Sequence, residues 1–176
     1  MDTNVKAGQN PNELFDVVDE CDQVLHTAPR HEVHARKLLH RAVHVIVLDG
    51  EGSIFLQQRS LLKDSAPGTW SASCSGHVDA GEDYDHAAMR ELQEEIGIIP
   101  STPPERWLRF RACEETAWEF LWIYRLVHQG PFVLNPAEIK DGCWFTKGQI
   151  DQGVAESPDE FAESFRYLWT RVSDEL

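Results

Sequence analysis

Between Gly76 and Ile98 the sequence GHVDAGEDYDHAAMRELQEEIGI carries seven carboxylates (Asp79, Glu82, Asp83, Asp85, Glu91, Glu94, Glu95) and a single arginine, Arg90. Like charges one turn apart weaken a helix. On a helix turning about 100° per residue, Glu91, Glu94 and Glu95 fall within an arc of about 100°, and Leu92 and Ile96 point the other way. Such a helix buries an apolar stripe and presents three carboxylates together. Hard cations such as Mg²⁺ take oxygen ligands and bind through carboxylates plus substrate phosphates. A solvated acidic stripe would contain the same triplet, so the spacing has to decide.

The spacing runs Gly76, five residues, Glu82, seven residues, then Arg90-Glu91-Leu92-Gln93-Glu94-Glu95-Ile96-Gly97-Ile98. It resembles the signature of the Nudix hydrolases, Gly-x5-Glu-x7-Arg-Glu-apolar-x-Glu-Glu-x-Gly-apolar, with every fixed position matched. The resemblance implies an α/β (α+β) fold, a mixed β-sheet sandwiched between helices. It also implies a loop–helix–loop that holds Mg²⁺ or Mn²⁺, and hydrolysis of a diphosphate linked to a further moiety. Carried onto this chain, Glu94 and Glu95 are metal ligands, Glu91 is a ligand or base, and the backbone carbonyl of Ser75 is a further ligand. Arg90 and Glu82 orient the glutamates, and Gly97 ends the helix. Water attacking a diphosphate needs neutralised phosphoryl oxygens and an activated nucleophile, which bound metal supplies. A nearby carboxylate can accept the proton.

Outside this box, Pro67-Gly68-Thr69-Trp70 resembles an element that often precedes it in Nudix chains. Trp70 is a candidate to stack on a base or wall the pocket, with a core position as the alternative. Arg59 and Lys63 are candidate phosphate contacts. Glu119 is a candidate extra ligand or base, and Glu114 and Glu115 compete for that role. The front of the chain resembles the Nudix subset that includes type 1 isopentenyl-diphosphate isomerase. That isomerase uses a metal held by histidines and glutamates, plus a cysteine two residues before a box-region histidine. His40 and His77 match, and His34 is near a third place, which leaves a second metal site open. The residue two before His77 is Ser75, with Cys74 one place early, and TAWEF does not cleanly reproduce the downstream glutamate pair. The expected function is therefore divalent-metal-dependent hydrolysis of a diphosphate linkage in a nucleoside diphosphate derivative or similar compound. An isomerase and a non-catalytic nucleotide-sensing module are the alternatives.

The elements that must position these residues follow from local pattern. LFDVVD and VLHTAP are predicted as a strand pair around ECDQ, and RHEVHARKLLH as a short helix or turn. AVHVIVL and SIFLQQR flank DGEG, a hairpin signal. SLLKDSAPGTWSASCSG is predicted as a loop lining the site. Ala88, Leu92 and Ile96 place a helix from Asp83 to Ile96. STPPERW is a second loop, and WLRFRACEETAWEFLWIYRLVH is predicted as two strands around an acidic turn. NPAEIKDGCWF returns to a short strand, and a helix is predicted from SPDEF through Phe161, Phe165, Leu168 and Trp169. The order implies an α/β or α+β domain with a mixed sheet. Residues 1–12 are predicted to be a flexible lead-in. Residues 13–176 are predicted to be one Nudix domain with an N-terminal hairpin and a C-terminal helix.

Sixteen basic residues against thirty acids give a net charge of -14, which disfavours general nucleic-acid binding. The first residues form no signal peptide and no run is long enough to span a bilayer. Four separated cysteines fit reduced thiols in the cytoplasm. The expected partner is a small-molecule diphosphate, and homodimer assembly is left open.

Overall fold

The computed structural model describes residues 10–176. Most of the predicted lead-in lies outside them. Asn10–Asn12 form a turn in which Pro11 carbonyl oxygen accepts from the His31 amide at 3.1 Å. Strands β1 (Leu14–Val18) and β2 (Val24–Pro29) make the predicted antiparallel pair, and helix α1 (Arg30–Ala35) follows directly. The β-branched run His40–Leu48 forms β3, and Ser53–Arg59 forms β4.

The loop predicted before the box contains two short strands, β5 (Trp70–Ser71) and β6 (Cys74–His77). Neither has β-branched residues; tertiary pairing makes them strands, β5 on β4 and β6 on β3. The box helix α2 spans Tyr84–Ile96. The Asp83 side chain accepts from the His86 amide at its start, and Gly97 ends it at φ 72, as the sequence predicts. Strand β7 (Glu105–Phe110) begins inside the predicted second loop, at Glu105, and β8 (Glu119–Val127) and β9 (Ile139–Thr146) complete the main sheet.

Helix α3 (Lys147–Glu156) was not predicted. Its signal is the capping box formed by Thr146 and Gln149. The C-terminal helix α4 covers Glu163–Val172, so Phe161 precedes it rather than belonging to it.

The seven-stranded sheet runs β5-β4-β3-β8-β7, with β6 beside β3 and β9 beside β4; β3 and β8 are parallel. Alternation along β3 sends Val43, Val45 and Val47 into a core under α2, with Leu92, Ile96 and Tyr124. Ala42 and Ile46 face the opposite core, with Leu121, Ile123, Ile150, Phe165 and Trp169. The fold is thus a mixed α/β sheet between α2 on one face and α3 and α4 on the other. Among the described residues no helix is long and apolar enough to cross a membrane.

Candidate active site

Arg90 is the hub of the box. Its Nε and Nη2 donate to the two Glu82 oxygens at 3.1 and 2.9 Å, and Nη1 donates to Glu91 at 2.6 Å and Glu94 at 3.3 Å. Nη2 also donates to the His77 carbonyl oxygen at 2.9 Å, tying helix to strand. The three box glutamates are not equally exposed. Glu94 is 57% exposed at its side chain, while Glu91 and Glu95 are buried. Burial, reinforced by the neighbouring Glu95 charge, pushes Glu91 well above the ordinary carboxylate range, against the pull of Arg90. Burial raises Glu95 too, although its Oε2 accepts from the Ser75 amide at 2.9 Å and from Gln57 Nε2 at 3.0 Å.

A second cluster faces the same space from the N-terminal side. One ring nitrogen from each of His34, His40 and His77 lies within 4.8 Å of the other two. The His77 Nε2 is 3.0 Å from Glu119 Oε1, and the His40 Nε2 is 3.6 Å from it. Among the described residues, the buried Nε2 atoms of His34 and His40 have no hydrogen-bond partner. The Phe15 ring of β1 stacks on both His40 and His77, at 5.8 and 4.5 Å between centroids. Burial holds His34 and His77 down to about 4, while the two histidines beside Glu119 keep its carboxyl far below its usual range despite its burial.

The box glutamates and Arg90, together with His34, His77 and Glu119, line one cavity of about 580 Å³. Glu91, Glu94, Glu95, Arg90, Ser75, Arg59, Lys63 and Glu119 all reach it. Glu82 lies behind Arg90 instead, with one oxygen also accepting from the Asp79 amide at 3.1 Å. Lys63 pairs with Glu138, and Arg59 donates to the Ser65 carbonyl and hydroxyl oxygens at 3.0 and 3.2 Å. Trp70 does not line the cavity. Its ring packs edge-on against Phe145, 5.0 Å between centroids, so the core alternative describes it. Glu114 and Glu115 sit in the exposed turn before β8, away from the cavity.

Register explains the cysteine. On β6, Ser75 pairs with His44 and His77 with Ala42, on the face toward α4; Cys74 pairs with Val45, on the face toward α2. Cys74 is fully buried there, near Glu95, and burial raises its thiol pKa well above the usual value. A shift of one residue changes faces. Sequence reasoning missed Gln57 and Arg30. Arg30 is buried and bonds Asp64 at 3.0 Å and the His77 Nδ1 at 3.2 Å; nothing in its local sequence marks it.

The NUDIX domain model matches residues 38–165, a span that holds the box, β3 and Glu119. An uncharacterized Nudix hydrolase of Yersinia pestis is 34% identical over 170 residues, covering 95% of this chain and 93% of that protein. The chain belongs to the Nudix hydrolase family. This Nudix chain is also 30% identical over 157 residues to an isopentenyl-diphosphate Delta-isomerase of Serratia proteamaculans, covering 88% of each. Its fold matches the crystal structure of DR0079 from Deinococcus radiodurans with a TM-score of 0.82 at 25% identity, over 90% of this chain and 98% of that one.

Proposed function

We propose that this Nudix protein is a divalent-metal-dependent hydrolase of a diphosphate linkage in a nucleoside diphosphate derivative or similar compound. The observation that carries the reading is the burial of Glu91 and Glu95 side by side on the cavity wall, with one arginine shared among Glu82, Glu91 and Glu94. Uncompensated buried carboxylates are costly, and a cation offsets that cost. Glu91, Glu94, Glu95 and the Ser75 carbonyl would hold Mg²⁺ or Mn²⁺, with Glu119 as a further ligand or base. A divalent ion, when bound, neutralises phosphoryl oxygens and makes water more acidic. Arg90 and Glu82 fix the glutamates, Glu91 is placed to take a proton, and Arg59 and Lys63 contact phosphate. A panel of diphosphates assayed with Mg²⁺ and Mn²⁺ for phosphate-containing products tests this. Turnover that persists in excess chelator would sink the reading.

One observation favours a second metal. His34, His40, His77 and Glu119 make a nitrogen-rich set suited to a borderline transition ion rather than to Mg²⁺. In the isomerase reading that set serves proton transfer at carbon, but the thiol that would share the work points to the other face of the sheet. Hydrolysis remains the better supported reaction.

A further inference from the structure

Lys63 and Glu138 stand on the cavity wall as an ion pair, with side chains 9% and 17% exposed. They meet because β4 and β9 pair with Arg59 opposite Ile139, so the chain beyond those two strand ends is brought together. Lys63 lies in the loop after β4, and Glu138 immediately precedes β9. Both are fixed from behind. The Glu138 carbonyl oxygen accepts from the Ser60 amide at 2.9 Å, and its amide donates to the Asn135 carbonyl oxygen at 3.0 Å. The Lys63 amide donates to the Ser60 carbonyl oxygen at 3.2 Å, and the next residue, Asp64, accepts from Arg30 at 3.0 and 3.2 Å. With the backbone held on both sides, the part left to move is the flexible stem of the lysine.

Two anions have a use for that lysine. A diphosphate in the cavity needs charged donors on its oxygens, and a carboxylate asks for the same contact. Arg59 gives its Nε and Nη2 to the neutral oxygens of Ser65, whereas the Lys63 ammonium already holds a full negative charge.

We propose that Glu138 is a built-in competitor of the substrate: it holds Lys63 in the empty cavity, and a diphosphate binds by taking the lysine from it. This rests on the hydrolase reading above and adds to it a residue that lowers affinity for the substrate.

Burial gives the effect its sign. Once displaced, Glu138 is a largely buried carboxylate without its cation, and that cost weakens the binding of every anion that takes its place. Were Glu138 there to steady Lys63 for the substrate, loss of its charge would weaken phosphate binding. As a competitor, its loss strengthens it. Glu138→Gln separates the two, because it keeps the shape and one acceptor oxygen for Nζ but removes the charge.

The probe is methylene diphosphonate, whose P–C–P bridge resists hydrolysis, titrated by calorimetry with Mg²⁺. Glu138→Gln is expected to bind it about tenfold more tightly than the unmodified protein does. Glu13→Gln, a second carboxylate of the cavity lining, is expected to give a much smaller gain. Unchanged or weaker binding in Glu138→Gln overturns the proposal, and equal gains in the two variants overturn it too, since the cause would be general repulsion. A crystal structure of the unmodified protein with Mg²⁺ and methylene diphosphonate is independent of the variants' folding. Lys63 Nζ on a phosphonate oxygen and parted from Glu138 supports the competition; Nζ still on Glu138 overturns it. If the unmodified protein does not bind the probe, binding gained in Glu138→Gln supports the proposal and none in either overturns it. Turnover that persists in chelator would sink the hydrolase reading alone, because these measurements read binding of a compound that is not cleaved.

Discussion

The carboxylate of Glu91 occupies the space that a side chain at Gly76 would need: a Cβ built on Gly76 would lie 1.9 Å from the Glu91 Oε1. Strand and helix approach so closely there that the box glycine and the box glutamate are one fitted unit. Gly76→Ala must therefore move the Glu91 carboxylate, because β6 is held by pairing with β3. Turnover is expected to fall at least tenfold and Mn²⁺ affinity to weaken, read by calorimetric titration. Unaltered metal binding would show that Glu91 is not held for a metal.

The glutamates should separate from their acidic neighbours. Glu94→Gln keeps shape and removes a charge from an exposed side chain, so turnover should drop by roughly 10²-fold with little change in Tm. Asp85 accepts from Arg106 Nε and the Tyr124 hydroxyl, both at 2.7 Å, and so clamps α2 to β7 and β8. Asp85→Asn is expected to cost about 1 kcal/mol of stability while kcat stays near its original value. If both variants lost activity equally, the acids would be a generic stripe.

Metal and protons should compete. Glu91 and Glu95 have raised pKa values, so the folded, metal-free protein holds protons that the unfolded chain has released. Their contribution is fully present below the ordinary carboxylate range and is lost as pH rises through the folded values. Metal replaces those protons, so its affinity and the Tm increase it gives should both grow with pH. At a hundredfold excess over Kd the gain is about 2.7 kcal/mol. Chelation should abolish turnover, and Mg²⁺ or Mn²⁺ should restore it. A Tm increase that shrinks with rising pH would contradict the assignment.

The box helix, its caps and the metal-directed carboxylates were legible because each rests on local spacing: 3.6-residue periodicity, Asp83 at the start and Gly97 at the end. Helix α3 carried a local signal too, in Thr146 and Gln149, that composition obscured. Strands β5 and β6 were not legible, since Trp70-Ser71 and Cys74–His77 become strands only through partners far along the chain. The burial of Glu91 and Glu95 was hidden for the same reason. A helical wheel separates them from Leu92, but the sheet edge that covers them is tertiary.

The buried imidazole on the cavity floor should mark the acid limb of stability. His44 is held down to about 4 by burial, below its ordinary 6.5. Between those values the unfolded chain binds a proton that the folded one refuses, so stability falls as pH falls through that window. The loss is on the order of 3 kcal/mol for this one group. Denaturant unfolding of the metal-free protein from pH 7 to 4 should show a shallower acid decline in His44→Leu than in the unmodified chain. Parallel curves would mean that His44 is protonated in the fold.

Hydrolysis and isomerisation can be separated at the Cys74–Ser75 step. An isomerase moves a proton at carbon and leaves the diphosphate whole, whereas a hydrolase cuts the diphosphate and leaves the carbon skeleton alone. The isomerase uses a thiol two residues before the box-region histidine, and the residue at that place on the cavity face is Ser75, whose hydroxyl is a poor acid or base near neutral pH. Cys74 is fully buried on the opposite face, packed with Val45 and Leu92. Cys74→Ala is therefore expected to cost about 1 kcal/mol in packing and to remove a hydrogen bond to Glu95, with turnover of the preferred diphosphate largely kept. In deuterated water, isopentenyl diphosphate should acquire no deuterium on carbon. Ser75→Cys is the informative partner variant, because it alone places a thiol beside His77 and Glu119. Weak carbon deuteration gained in Ser75→Cys and absent from the unmodified protein would fit this register. Metal-dependent deuteration by the unmodified protein, lost in Cys74→Ala, would instead require β6 to present its other face and would make the isomerase the better reading.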